Sequence, residues 1–162
     1  MKKVAVIMGS MSDLSKVEPA VKLLKDFNVT VDFKCLSAHR CALELSEYVN
    51  ELNNDGTEVI IACAGMAAAL PGVVASKTIL PVIGVPLVSK YLDGIDALLS
   101  IVQMPSGIPV ATVAIDGSKN AAWLALEIMA IKHDDLKQLL LDERQKMHEQ
   151  ALKANIELAS KY

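Results

Sequence analysis

The sequence predicts an open α/β fold, a single three-layer α/β/α domain spanning 1–162 with a parallel five-stranded sheet and an extended C-terminal helix. Three observations carry that expectation. Short apolar runs of strand length alternate with stretches whose apolar residues recur at helical spacing. Hydrophobic residues make up 52 % of the chain and aromatics only 4 %, so core volume comes from Val, Ile, Leu and Ala, as in sheets buried on both faces. Marked polar or small-residue loops follow the first three expected strands, and in open α/β sheets such loops share one edge.

The elements follow in order. Lys3–Met8 is a continuous apolar run closed by Gly9, hence a buried strand. Lys2 and Lys3 before it suggest a signal peptide, but the run is too short and Asp13 follows soon after. Val17, Ala20, Val21, Leu24 and Phe27 mark a first amphipathic helix that Asn28 ends. A second strand, Val29–Leu36, leads into Ser37-Ala38-His39-Arg40. A second helix starts near Cys41 with Ala42, Leu45, Val49 and Leu52 on its apolar face, and Asn53-Asn54-Asp55-Gly56 stops it. The third strand, Thr57–Cys63, runs into Ala64-Gly65-Met66-Ala67-Ala68-Ala69-Leu70-Pro71-Gly72, followed by a short helix over Val73–Thr78. Val82–Val85 is a fourth strand ending at Pro86. Asp93–Val102 reads as a helix with Ile95, Leu98, Leu99 and Val102 as its apolar set. Met104–Pro109 is a rigid loop, Val110–Ile115 a fifth strand, and Asn120–Ile131 a helix apolar on nearly every side, expected to be fully buried. Asp134–Tyr162 is a long charged helix whose narrow stripe of Leu136, Leu140, Met147, Ala151, Ala154 and Leu158 needs a further surface, most simply a neighbouring subunit. A flavodoxin-like strand order is expected of these five strands.

Composition excludes several functions. A net charge of −3, no basic block and few aromatics argue against nucleic-acid binding. The longest apolar stretch, Val59–Ala75, is broken by Gly65, Pro71 and Gly72, so no membrane span is expected. Cys35, Cys41 and Cys63 are odd in number and without metal-ligand spacing, which fits reduced thiols in a cytoplasmic protein and no metal site.

Two loops carry chemistry. Gly9-Ser10-Met11-Ser12-Asp13 reads as a helix cap, or equally as hydroxyls and free N–H groups for a phosphate with Asp13 accepting from ribose hydroxyls. It is neither a dinucleotide fingerprint nor a P-loop. His39 and Arg40 place a proton carrier beside a planar anion fork. Arg40 and Arg144 are the chain's only arginines, and His133 and His148 sit among charged residues that suit a solvated face.

Four stretches together resemble the bacterial N5-carboxyaminoimidazole ribonucleotide mutase family of purine biosynthesis (PurE, class I). They are Gly9–Asp13, Ser37–Arg40, Ala64–Gly72 and Ser100-Ile101-Val102-Gln103-Met104-Pro105-Ser106-Gly107-Ile108-Pro109-Val110. The likeness covers nearly the whole chain in the same order and spacing. Arg40, where the direct aminoimidazole ribonucleotide carboxylases have lysine, points to the mutase branch. The resemblance implies a flavodoxin-like subunit of a cytoplasmic homo-octamer, with the helix at about 134–160 reaching a neighbour. It implies transfer of a carboxylate from the exocyclic nitrogen to ring carbon C4 of aminoimidazole ribonucleotide, without metal or cofactor. It gives the phosphate to Ser12, Ser37 and Arg40, the ribose diol to Asp13 and the adjoining part of the ligand to Ser10, and counts Ala38 among the substrate-binding positions. Ala64, Gly65, Ala67, Ala68 and Leu70 would wall the carboxylate pocket, and His39 would be the acid and then the base.

One position departs from the family. A histidine ordinarily precedes Leu-Pro-Gly there, and this chain has Ala69. The expectation is a protein that folds and binds the nucleotide but turns over slowly. A nucleotide-binding module without catalysis and a direct carboxylase are the alternatives; a flavin carrier is disfavoured because few aromatics are available to sandwich a flavin.

Overall fold

A computed structural model of the chain describes residues 2–162. Among the described residues, five strands form one sheet in the order β2-β1-β3-β4-β5. They are β1 (Lys3–Met8), β2 (Thr30–Cys35), β3 (Val59–Gly65), β4 (Val82–Leu87) and β5 (Ala111–Thr112), and every pairing is parallel. Val6 sits in register with Phe33 on one side and Ile61 on the other. This is the flavodoxin-like order, and its winding reverses between β1 and β3, so a crevice opens beyond their carboxyl ends.

Helices α1 (Leu14–Asp26), α2 (Ala42–Leu52), α3 (Ala69–Ala75), α4 (Ile95–Val102) and α5 (Ser118–Ala130) connect or follow the strands. Alternation along β1 sends Ala5 and Ile7 to one face, where they join Leu45, Val49 and Leu52 of α2, Leu70 and Val74 of α3, and Ala97 and Ile101 of α4. On α1, Val17, Ala20 and Leu24 are wholly buried, and Phe27 at its end meets Trp123 of α5 edge to face at 5.2 Å. Asn28 ends α1 at φ +56, a left-handed conformation that Asn tolerates.

The structure departs from the sequence expectations at several places. On α2, Ala42 is exposed and Tyr48 takes the buried position. α3 starts at Ala69 rather than Val73, because Pro71 lies in its first turn, where no N–H is needed. β4 continues through Pro86 to Leu87. The Pro86 carbonyl accepts from Asp116 N (2.8 Å) on the side of β5, which has already ended, so the missing N–H breaks no ladder bond.

α4 begins at Ile95, after a 3-10 turn over Leu92–Gly94, and it turns a different face inward. Ile95, Leu99 and Val102 are 51 %, 53 % and 48 % exposed, whereas Ala97 and Ile101 are buried. A β-carbon on Gly84 would lie 2.4 Å from Ile101 Cγ2 and 2.8 Å from Val110 Cγ1. Gly84 thus leaves room on the sheet for the Ile101 side chain, and the face of α4 bearing Ala97 and Ile101 packs inward. β5 is only two residues long. α5 is not buried all round: Glu127 is exposed, and Ile131 lies past its end.

The chain divides into two compact units, one running to Ala125 and the other comprising Leu126–Tyr162. The second holds the end of α5 and α6 (Asp134–Ala159), whose 26 residues span about 39 Å at the usual helical rise. Asp134 and Asp135 complement the positive end of its dipole. Leu136 and Leu140 are buried, and Arg144 pairs with Glu127 at 2.5 Å. Farther along, Met147, Leu152, Ile156 and Leu158 are exposed. Among the described residues no helix is long and apolar enough to cross a membrane.

Candidate active site

The loops after β1, β2, β3 and β4 enclose an open cavity of about 680 Å³, within the range that suits a small-molecule ligand. The first wall follows β1. Ser10 is extended and caps the 3-10 turn Met11–Asp13; its Oγ accepts from Ser12 N (3.3 Å) and from the Ser12 hydroxyl (2.9 Å). The Ser12 hydroxyl also lies 3.4 Å from Asp13 Oδ1. Burial pushes the Asp13 carboxyl above the ordinary carboxylate value, the Ser12 hydrogen bond and the Lys16 charge hold it down, and Asp116 adds a smaller upward push.

The second wall is Ser37–Arg40, a turn closed by the Cys41 N–H donating to Ser37 O (2.9 Å). Arg40 binds back on its own turn, its N–H and Nε each donating to Ser37 Oγ at 3.4 Å. Its Nη2 reaches Gly9 O at 3.2 Å. The guanidinium therefore ties the loop after β2 to the loop after β1. His39, exposed on the same turn, lines the cavity with Ala38.

The third wall is apolar and strained. Ala64 and Gly65 end β3, and a β-carbon on Gly65 would sit 3.2 Å from Leu87 O, tighter than most such contacts. Met66 (φ +56) and Ala68 (φ +43) are left-handed without being glycine, and the turn is closed by Ala68 N–H donating to Gly65 O (3.1 Å). Ala67, Ala69 and Leu70 complete this wall, Ala69 as the first residue of α3.

All thirteen positions singled out from the sequence line this one cavity. Ala69 and Leu70 do so from a helix rather than from a loop. Sequence reasoning missed a fourth wall, Val88-Ser89-Lys90 after β4, and Lys16 on the first turn of α1. The signal was available: β4 ends at the same edge as β1 and β3, so its loop should face the same crevice. Cys63 is wholly buried, and burial pushes its thiol up, so it behaves as a small apolar residue. Among the described residues no group of three His, Cys, Asp or Glu side chains is placed to hold a metal ion.

The site brings an imidazole and a guanidinium together with the hydroxyls of Ser10, Ser12 and Ser37, a carboxylate and an apolar small-residue wall. That arrangement can hold a phosphorylated sugar and move a proton beside it.

Residues 3–150 match the family described as AIR carboxylase. The chain is 57 % identical over 147 residues to an N5-carboxyaminoimidazole ribonucleotide mutase of Pyrococcus abyssi, covering 91 % of this chain and 84 % of that protein. It is 51 % identical over 157 residues to the mutase of Saccharolobus solfataricus, covering 97 % and 99 %. Relatives of that name thus include archaeal proteins, and the bacterial branch is not singled out. Among solved structures, PurE of Treponema denticola superimposes with a TM-score of 0.90 at 28 % identity, covering 98 % of this chain and 99 % of that one.

Proposed function

The chain belongs to the AIR carboxylase family, and on that premise we propose that it is an isomerase of purine biosynthesis catalysing the N5-carboxyaminoimidazole ribonucleotide mutase reaction. The identity to proteins of that name carries the reaction. What supports its assignment to this cavity is the meeting of His39 and Arg40 with the Ser10–Asp13 turn and the small-residue wall.

The steps balance on one proton carrier. Protonated His39 gives its proton to the exocyclic nitrogen as the bond from that nitrogen to the carboxylate carbon breaks, releasing CO2 and aminoimidazole ribonucleotide. C4 then attacks the trapped CO2, and neutral His39 takes the C4 proton, which returns the imidazole to its starting form. No electron donor or acceptor is required, because substrate and product are isomers. Ser12, Ser37 and Arg40 hold the phosphate in this reading, Asp13 the ribose diol, and Ser10 and Ala38 the adjoining part. Ala64, Gly65, Ala67, Ala68 and Leu70 keep the CO2 pocket dry, so the intermediate is not lost to water. Ala69 offers only a methyl group where an imidazole N–H would steady the carboxylate, and slow turnover is the consequence. The assembly in this reading is a cytoplasmic homo-octamer, in which the exposed apolar residues of α6 cover a neighbouring subunit.

The test is His39→Asn. Conversion of the carbamate is followed by ultraviolet absorbance, and nucleotide binding by calorimetry. Loss of product with binding retained is the expected result; lost binding would assign His39 a structural role and end this mechanism. Ala69 favours a second reading, a nucleotide-binding module without chemistry. That reading is supported if the parent chain binds the nucleotide and forms no product.

A further inference from the structure

We propose that Lys16 and Asp116 are positioning residues that fasten the Val88–Lys90 wall of the cavity. The observation is at Val88, one residue past the end of β4. Pairing of β4 with β3 stops at Leu87, and its pairing with β5 is confined to Ile83 and Gly84, so no strand pairing reaches Val88. Two side chains from other elements do. Asp116 Oδ1 accepts from the Val88 N–H at 2.9 Å, and Lys16 Nζ donates to Val88 O at 2.6 Å. The same two side chains meet at 3.4 Å, Nζ to Oδ2.

Both ends of this fastener are themselves anchored. The Asp116 N–H donates to Pro86 O (2.8 Å), and the Ser118 hydroxyl donates to Lys16 O (2.5 Å). Asp116 sits at φ +53, where a glycine would be free of strain and an aspartate is not. Its side chain repays that conformation by engaging Val88 and Lys16 together. The first turn of α1, the exit of β4 and the loop before α5 are thereby pinned at one point. Lys16 lines the cavity, but its ammonium is committed to a carbonyl and a carboxylate. It acts on substrate through the wall that it holds. The kinetic arm of this proposal rests on the mutase reading, whereas the fastening itself does not.

Two measurements on the full chain separate them. The first is the rate at which trypsin cuts the native protein after Lys90, read by mass spectrometry; cleavage follows the population of the opened loop. The second is KM and kcat for the carbamate. Lys16→Met, which removes a charge-assisted hydrogen bond, is expected to speed cleavage about tenfold and raise KM about tenfold, with kcat within about twofold. Lys16→Arg restores the donor and is expected to bring both most of the way back. Unchanged cleavage in Lys16→Met overturns the proposal, as does a fall in kcat at constant KM, which would put the ammonium on the reacting atoms. If the parent chain forms no product, the mutase reading fails and the cleavage rates still decide the fastening. If Lys16→Met does not fold, Asp116→Asn serves: it keeps an acceptor for Val88 but drops the charge facing Lys16, and faster cleavage is expected, with an unchanged rate counting against the proposal.

Discussion

Replacing Arg40 by lysine keeps the charge and removes the fork, so it tests whether geometry or charge holds the phosphate. A guanidinium has five N–H donors. In this structure Nε is bonded to Ser37 Oγ and one Nη2 hydrogen to Gly9 O, which leaves three for a ligand. A lysine ammonium carries its three donors on one atom and cannot bind Ser37, Gly9 and a phosphate in the same planar arrangement. Keeping the phosphate means releasing the loop after β1; keeping that loop means weakening the phosphate. One or two charge-assisted hydrogen bonds are lost, at about 1.5–3 kcal/mol each. The smaller loss corresponds to about a tenfold rise in KM, and a larger one to about a hundredfold. The phosphate is remote from C4, so the loss is shared by ground and transition states and kcat should stay within about threefold. Steady-state conversion of the carbamate by ultraviolet absorbance gives both constants, and calorimetry with aminoimidazole ribonucleotide gives affinity without turnover. A fall in kcat at constant KM would show the guanidinium acting at the reacting carbon. Unchanged constants would remove Arg40 from the phosphate altogether.

Two further outcomes follow from the same cavity. Asp13 has its folded value raised above 3.8, chiefly by burial, so the native state holds its proton more tightly than the unfolded chain does. The stability due to the neutral carboxyl is complete below that ordinary value and is lost as pH rises through the raised one. Asp13→Asn should therefore unfold at higher urea than the parent near neutral pH, with the advantage gone in acid, and should bind nucleotide more weakly; an equal advantage at every pH would refute the burial argument. Ala69→His puts an N–H donor into the cavity from the first residue of α3, and kcat should rise by about ten- to a hundredfold with little change in nucleotide affinity; an unchanged rate would mean that this wall takes no part in the chemistry.

The strands β1 and β3 were legible because burial on both faces demands continuous apolar runs, and the loops beyond β1, β2 and β3 because Gly9, Ser37 and Gly65 mark the strand ends at one edge. The parts that were not legible share a cause. Pro71 and Pro86 read as breakers, but each sits where the missing N–H has no partner to lose, a fact set by the first turn of α3 in one case and by the shortness of β5 in the other. The inward face of α4 was misjudged because hydrophobicity favours Ile95, Leu99 and Val102, whereas the approach over Gly84 admits Ala97 and Ile101. The fourth wall was missed because what shapes it is two long-range contacts, from Lys16 and Asp116, and neither residue resembles a motif.

These exceptions cluster around the cavity, and the geometry of an open parallel sheet explains why. Along a strand the ladder fixes each residue; past its carboxyl end the chain must turn back with neither ladder nor helix to satisfy it. Met66, Ala68 and Asp116 take left-handed backbone in just those turns. Each turn is then held by specific bonds: Gly65 O to Ala68 N–H, Pro86 O to Asp116 N–H, Val88 to Asp116 and Lys16, Ser37 and Gly9 to Arg40. Such bonds narrow the conformations open to a loop, and an ångström of drift is enough to spoil a proton transfer. The same bonds hold the Ser37–Arg40 turn on which His39 lines the cavity. In the proposed mutase reaction, turns held this way would serve to keep CO2 beside C4 between the two half-reactions.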